Sequence, residues 1–352
     1  MGSKLEKISC IESEVIDDGR FITHTLIDSN NDLNLTSIQI NNDIIFDSDS
    51  GNFDKKLLQE IINKFEPIVN KFIVLIEWGE SGATFSYDVF YNSIPKLDLI
   101  LQTFEENKIS DRLVWRSNGI NPLFKSPIKF EPISTFLGLD VDECFDIDKR
   151  KFSKHFLSLY RGYKSIREHF HNFLRDKNLL EKTLFSYNAE GIDNPKYTND
   201  YSVSIEGKSV TAPMLMKVGE YYKDTFCSIV YEALWDEKVV FFTEKINKCL
   251  LAGQPFIVVS SPKYLDFLKK LGFKTFNMWW DESYDNEYND ETRKKKIEKV
   301  IKYISELTIT QCEQMYEEMI PTLKHNQRIL KKISKNRILN NYSLLEFDNK
   351  LI

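Results

Sequence analysis

A chain of 352 residues with 42% hydrophobic and 13% aromatic side chains can bury one large core or two of ordinary size, which excludes a disordered or fibrous protein. The net charge of −6, from 47 basic and 53 acidic residues, argues against a general nucleic-acid or membrane-surface binder, so no nucleic-acid partner is expected. Five scattered cysteines without a C-x-x-C pair exclude a zinc ribbon and a dense disulfide framework; no apolar run approaches the roughly 20 residues that span a bilayer, and no signal-peptide core opens the sequence, so a cytoplasmic protein with free thiols is expected.

Up to about residue 60, short apolar runs alternate with polar turns, and FITHTLI, LTSIQI and DIIF predict strands. DKKLLQEIINKFEPIV then predicts a helix, with Leu57, Leu58, Ile61, Ile62 and Phe65 at helical spacing. KFIVLIEWGE (71–80) reads as a buried strand that runs into the glycine-containing loop GESGATFS. KLDLILQTFEEN (96–107) fits helix and strand alike, and RLVWRSNG (112–119) reads as a strand and turn. Residues 120–150 are loop-rich, which places a division at 148/149 between a first lobe, 1–148, and a second, 149–310.

The second half alternates strand and helix more plainly. HFLSLY leads through a basic turn into an amphipathic helix. FCSIVYEAL, VVFF and FIVV read as strands, with a short helix between the last two and another at YLDFLKKLG. Two long helices follow, ETRKKKIEKVIKYISEL (291–307) and CEQMYEEMIPTLKHNQRILKKIS (312–334), the second with a kink expected at Pro321. This order predicts an α/β fold whose parallel sheet carries helices on both faces. With a similar first half, two lobes would face each other across a cleft, and a helical segment, 311–352, is expected to pack back on the N-terminal lobe.

The chemistry concentrates where VVFF gives way to Thr243, Glu244 and Lys245. In open parallel sheets, ligands bind beyond the carboxyl ends of strands, and a helix that opens there offers free N–H groups to an anion. Glu244 could accept two hydrogen bonds from a ribose diol, and Lys245 could neutralise a phosphate oxygen. The plain alternative is that Thr243 caps the helix, Glu244 favours its first turn and Lys245 is solvated.

The run F-F-T-E-K-I-x-K-x-L-L-A-G-Q-P-F-I (241–257) resembles the donor-binding signature of the GDP-fucose-dependent fucosyltransferases. FLSLYRGYKSIREHF and YLDFLKKLGFKTFNMWWDESYD, with Arg293 beyond, are similar to glycosyltransferase-like proteins of phages and marine bacteria, so the resemblance covers roughly residues 152–308. It implies a GT-B fold, two Rossmann-like lobes with the donor nucleotide held by the C-terminal one, and a cofactor-free, metal-independent transfer from a nucleotide-sugar, GDP-linked in the first instance. Carried over by position, Glu244 would hold the ribose, Lys245 would sit close to ribose or phosphate, and Arg161, Lys164 or Arg167 would meet the diphosphate. The sequence departs from the family at Phe242, which stands where a tyrosine precedes T-E-K, and Ser228, Glu232 and Trp235 occupy the region of the family's E-N-S in a different order.

An inverting transfer also needs a base for the acceptor hydroxyl, from the opposite lobe. Glu77 and Glu80, after the best strand of the first half, are the candidates. Trp280, Asp281 and Glu282 are candidates for a sugar or a hydroxylated acceptor (a glycan, a lipid-linked or a protein acceptor), against the plain reading of core packing and a helix cap. His169 and His171, two apart, cannot face one metal from a helix. The strings Asp47-Ser48-Asp49 and Asp140-Val141-Asp142 resemble the metal motif of the other major glycosyltransferase fold, which leaves a metal-dependent transferase as an alternative, and a non-catalytic protein that retains the donor lobe as another. P-loop, dinucleotide and serine-hydrolase motifs are absent from the sequence.

Overall fold

The computed structural model describes residues 8–16, 21–28, 33–41, 53–67, 71–76, 99–117, 119–120, 129–132, 137, 141–161, 163–188, 200–201, 219–235 and 240–339. The chain up to Ser134 belongs to one unit. Its strands are β1 (Ile8–Ile16), β2 (Phe21–Asp28), β3 (Leu33–Asn41), β4 (Lys71–Ile76), β5 (Leu113–Ser117), the two-residue β6 (Gly119–Ile120) and β7 (Lys129–Pro132). Six of them form one sheet in the order β1-β2-β3-β4-β5-β7, antiparallel from β1 to β3 and parallel from β3 to β7. Parallel neighbours need crossovers, and helix α1 (Lys55–Phe65) and a helix at 99–106, α2, lie in the β3–β4 and β4–β5 connections. Leu58, Ile61, Ile62 and Phe65 form the buried stripe of α1, and Phe104 of α2 meets Phe72 of β4 edge to face at 5.2 Å. Thus 99–106 resolves as helix: Ile100, Thr103 and Phe104 are buried at helical spacing. The stretches DIIF and GESGATFS lie outside the described residues.

A second unit takes the chain from Thr135 to Lys335. Its parallel strands are β8 (Lys154–Arg161), β9 (Thr183–Asn188), β11 (Thr225–Tyr231) and β13 (Phe256–Val259), in the spatial order β9-β8-β11-β13, with β10 (Asp200–Tyr201) antiparallel on β9. The first strand, β8, therefore has its successor on one side and β11 on the other. This reversal of direction is the topological switch point of a doubly wound sheet, where ligand crevices open at the carboxyl ends of strands. Every residue of β11 and β13 is buried, as expected of strands covered on both faces.

Helices cover both faces. Tyr160, Tyr187 and Tyr231, at the carboxyl ends of β8, β9 and β11, stack in a row, with centroids 5.1 and 4.7 Å apart. Helix α3 (Ser165–Asp176) lies over this row: His171 packs 4.7 Å from Tyr187 and Phe170 6.2 Å from Tyr231. Three residues back along β11, Ser228 faces the other way and donates to Gln254, just past helix α5 (Glu244–Ala252). The remaining elements are α4 (Gly219–Asp224), the short β12 (Val240–Phe241), α6 (Tyr264–Lys270), α7 (Asp290–Glu306) and α8 (Ile309–Leu339). Among the described residues no helix is long and apolar enough to cross a membrane.

The second unit takes in Phe145 and Ile147: the Phe145 ring lies against Gly219 and Lys223 of α4, and Ile147 packs on Gly253 at the end of α5. The Phe145 N–H donates to Leu251 O at 3.0 Å. Helix α8 up to Lys335 also belongs to this unit. It continues through Pro321, whose exposed position leaves the carbonyl that lacks a donor accessible to water.

A helix end has carbonyls with no partner inside the helix, and the C-terminus of α5 has each of them occupied. Leu251 O accepts from Phe145 and from Gln327 Nε2 (2.8 Å), Ala252 O from Arg150 (2.6 Å) and Gly253 O from the Tyr316 hydroxyl (2.9 Å). Gly253 itself caps the helix at φ +59°, and a Cβ added there would lie 2.5 Å from Ile147 Cγ1. A left-handed backbone costs a non-glycine residue about 1–2 kcal/mol, before any clash. Gly253→Ala should therefore destabilise the protein by about 2 kcal/mol or more in urea unfolding. The penalty should shrink in an Ile147→Ala background, and an unchanged penalty there would show that the clash contributes nothing.

Candidate functional site

Three loops meet at the carboxyl edge of the second sheet: that after β8 (Tyr163, Lys164), that after β11 (Glu232 to Trp235) and that after β13 (Ser260 to Lys263). The middle one is held at each of its residues. The Glu232 N–H donates to Val259 O at 3.1 Å. Lys164 Nζ donates to Ala233 O, reaching from the entry of α3. Leu234 O accepts from the Ser261 N–H (3.2 Å) and the Ser260 hydroxyl (3.4 Å). Trp235 O accepts from Arg293 Nη2 at 2.6 Å, while the guanidinium lies over the Trp235 ring, 3.9 Å from its centroid. Arg293 is 1% exposed and also binds Glu287 O (2.9 Å) and Asp290 (2.7 Å). Three successive carbonyls are thus fixed by residues from three other segments.

Thr243, Glu244 and Lys245 join this edge through Glu232. Thr243 is the N-cap of α5, and its hydroxyl accepts from the Lys245 N–H at 3.2 Å. The same hydroxyl lies 2.5 Å from Glu232 Oε2, and Tyr264 donates to Glu232 Oε1 at 2.6 Å. Lys245 Nζ stands 2.8 Å from Glu244 Oε1 and 3.2 Å from Thr243 Oγ1. Glu232 is buried, which raises its carboxyl above the usual range against the opposing pull of Lys245, Thr243 and Tyr264. Arg167, buried in the first turn of α3, acts on Tyr231, the residue before Glu232: burial raises the Tyr231 phenol well above its usual range, with the Ser158 hydroxyl and the Arg167 charge opposing it.

The structure therefore brings Thr243, Glu244, Lys245, Lys164 and Arg167 to the segment 231–235. Lys164 and Lys245 are held rather than solvated, one by a carbonyl and the other by a carboxylate and a hydroxyl. Arg161 ends β8, with its side chain outside the described residues; Glu77 and Glu80 lie outside them altogether, as do Asp47, Asp49 and Asp140. Asp142 is exposed in a short 3-10 turn, and among the described residues no group of three or more His, Cys, Asp or Glu is arranged to hold a metal ion. His169 pairs with Glu298 at 2.7 Å and His171 is buried among tyrosines.

Trp280, Asp281 and Glu282 are placed elsewhere and occupied otherwise. Trp280 is buried against Phe276 (5.2 Å), which packs on Phe256 (5.0 Å) at the amino end of β13. Glu282 is buried and accepts from the Thr275 hydroxyl (2.6 Å) and the Phe276 N–H (2.7 Å). Asp281 is exposed and receives Ser283 through its N–H (2.8 Å) and hydroxyl (2.9 Å). These contacts fold a covering segment beside the last strand. The A-G-Q-P stretch of the signature is likewise architectural: Gly253 stops the helix, and Gln254 binds Ser228, Thr225 O (2.9 Å) and Tyr222 O (3.2 Å) at the amino end of the sheet.

Two further side chains are central to this edge, and the sequence announces them unequally. Glu232 follows a strand that is buried throughout, and an acid in that place is a signal in itself. Asp285 gives none, because it caps α6 from downstream, accepting from the N–H groups of Leu265 (2.8 Å) and Asp266 (3.0 Å). No family model matches the chain, and no curated protein matches it.

Burial is the main cause that pushes Asp285 up to about 6, with Glu282 adding to it and the two N–H groups and Lys269 opposing it. A carboxyl raised in the folded state holds its proton longer there than when unfolded. Its contribution to stability is therefore largest below about pH 4 and is lost as the pH rises through about 6, on the order of 2–3 kcal/mol in all. Asp285→Asn, which does not titrate, should gain on the wild type by about 5 °C in melting temperature between pH 5 and pH 8. A gap that stays constant across that range would mean an ordinary carboxyl at Asp285.

Proposed function

We propose that the chain is a glycosyltransferase that takes a sugar from a nucleoside-diphosphate donor, GDP-linked in the first instance, and that its C-terminal unit holds the nucleotide. The observation that carries this reading is the gathering of Lys164, Arg167, Thr243, Glu244 and Lys245 around one clamped loop at the carboxyl ends of β8 and β11. Such an edge is where doubly wound sheets bind nucleotides. The likeness of the T-E-K run to fucosyltransferases supplies the substrate class. In this reading the two units are Rossmann-like lobes of the GT-B type with the acceptor on the N-terminal side of a cleft.

The reaction explains why these side chains suit the place. As the bond from the sugar C1 to the phosphate oxygen breaks, negative charge grows on the departing diphosphate and positive character on the sugar ring. The acceptor oxygen forms the new bond to C1 from the opposite face and gives its proton to a base, for which Glu77 and Glu80 remain the candidates. Fixed cations and helix N–H groups stabilise the leaving charge without reorganising at the moment of reaction. Glu244, 9% exposed at its side chain and next to Lys245, suits a ribose diol. To reach phosphate, Lys245 exchanges its Glu244 partner for a phosphate oxygen while the ribose hydroxyls take over Glu244.

Calorimetry with GDP, UDP and CMP, with and without manganese, tests the reading. GDP should bind without manganese, and Lys245→Ala should weaken it by roughly 10- to 100-fold, the range for one charge-assisted hydrogen bond. Failure of every nucleotide to bind, or indifference to Lys245→Ala, would overturn it. Tight binding with no turnover of any GDP-sugar would favour a non-catalytic protein that retains the donor lobe. A strict requirement for manganese would favour the metal-dependent alternative built on a D-x-D string.

A further inference from the structure

We infer that Glu232 is the positioning residue of this edge: through the Thr243 hydroxyl it fixes where the Lys245 ammonium stands. The inference deepens the nucleotide-site reading and rests on it for its functional meaning, although the relay itself is a property of the folded chain.

Proton accounting carries the argument. The Thr243 hydroxyl has one hydrogen and two lone pairs. Its nearest partner is Glu232 Oε2 at 2.5 Å, an acceptor when ionised, so the hydrogen goes there. Both lone pairs are then left for donors, and two donors are present, the Lys245 N–H and Lys245 Nζ, each at 3.2 Å. One hydroxyl thus caps the helix and anchors the ammonium, and it does both only while its hydrogen points away from Lys245. The carboxylate is in turn fixed against rotation by the Tyr264 hydroxyl on Oε1 (2.6 Å), and the Tyr264 ring packs edge to face on Phe242 at 4.9 Å. Cap, carboxylate and the residue before T-E-K therefore form one buried unit.

A carboxylate 2% exposed is costly to keep. A purely mechanical anchor for the loop does not need it, because Val259 O, Lys164, Ser261 and Arg293 already hold residues 232–235. The carboxylate also accepts from the Thr243 N–H (3.5 Å) and the Tyr264 hydroxyl (2.6 Å) through Oε1; what Oε2 adds is the direction of the Thr243 hydrogen. With a glutamine amide facing Thr243 instead, the hydroxyl accepts from the amide and its own hydrogen competes with the lysine for space.

The experiment reads Lys245 directly, without nucleotide, in the full chain. Pulsed acylation of amines at pH 8.5, followed by mass spectrometry of the Lys245 peptide, gives its rate of modification relative to exposed Lys270. In Glu232→Gln the Lys245 rate should rise at least threefold, because the ammonium keeps Glu244 but loses its second anchor, the Thr243 hydroxyl, and part of its negative surroundings, while Lys270 does not change. Thr243→Val should reproduce the rise and Thr243→Ser should restore the wild-type rate, which keeps the test decisive should Glu232→Gln fail to fold. A Lys245 rate unchanged in both Glu232→Gln and Thr243→Val overturns the inference whether or not any nucleotide binds. GDP titration of the same proteins separates the two claims. A wild type that ignores GDP sinks the nucleotide reading and leaves the labelling to judge the relay. A wild type that binds GDP and a Glu232→Gln protein with equal affinity at every pH from 6 to 9 overturns the positioning role. A tenfold weaker Glu232→Gln, with the pH profile displaced, supports it.

Discussion

A buried carboxylate at the end of a buried strand is the constraint around which the second unit is arranged. Glu232 leaves β11 where the sheet reverses direction, and nothing apolar can satisfy it there. Its partners come from two places: the Thr243 hydroxyl and the Lys245 charge at the start of α5, and the Tyr264 hydroxyl of α6. Each partner needs its own backbone to be fixed. Thr243 must be an N-cap, so α5 must begin there; Tyr264 must point inward, so α6 needs a cap that Lys263, in a left-handed conformation, does not supply and Asp285 does. The covering segment 274–285 is thereby drawn into the same chain of requirements, since Asp285 ends it.

The opposite edge of the same sheet is arranged by a neutral amide. Gln254, 1% exposed, ties Ser228 and Thr225 of β11 to α4 and to the entry of β13. There the carbonyls of α5 are met by glutamine, tyrosine and the half-buried guanidinium of Arg150. The two ends of α5 thus solve different problems. Its C-terminus is closed by packing and a left-handed glycine, and its N-terminus keeps charged side chains in contact with one another near the surface: Lys245 remains 21% exposed at its side chain. An end built only for stability resembles the first. The second retains ionisable groups that a hydrophobic replacement of similar size would often match in stability, so stability alone does not explain them.

These differences account for what the sequence disclosed. Periodicity was enough for β11, α5, β13 and α7, because strands buried on both faces and helices with one apolar stripe have unmistakable patterns. It was not enough for β1, whose Ser and Glu residues interrupt the apolar positions, or for β9, where TLFSYN is short and carries two polar side chains. The division placed at 148/149 falls within a loop, and a loop's allegiance is set by what its few apolar residues, here Phe145 and Ile147, touch. At the candidate site, Thr243 to Lys245 were legible since a cap and its neighbours are contiguous. For the aromatic and acidic residues of 279–282, residue type alone did not decide between packing and recognition. It allowed recognition, while the Phe256 end of β13 needed such groups to cover it and to satisfy the turn.

The same reasoning limits which half of the resemblance bears on function. Gly253, Gln254 and Pro255 would recur in any α/β chain that must stop a helix and enter a buried strand within a few residues, so their likeness to the transferase signature is a likeness of folding. Arg293 is similar: a guanidinium under 2% exposed that binds Trp235 O, Glu287 O and Asp290 is spent on holding a loop. Thr243 and Glu244 divide differently. A cap is demanded by α5 and a glutamate suits its first turn, but a lysine at the second position opposes the helix dipole and is offset here by Glu244 and Glu232. A cation is favoured at a helix N-terminus when an anion is to be met there, and that asymmetry, rather than the length of the matching run, is what directs the reading of this edge toward phosphate.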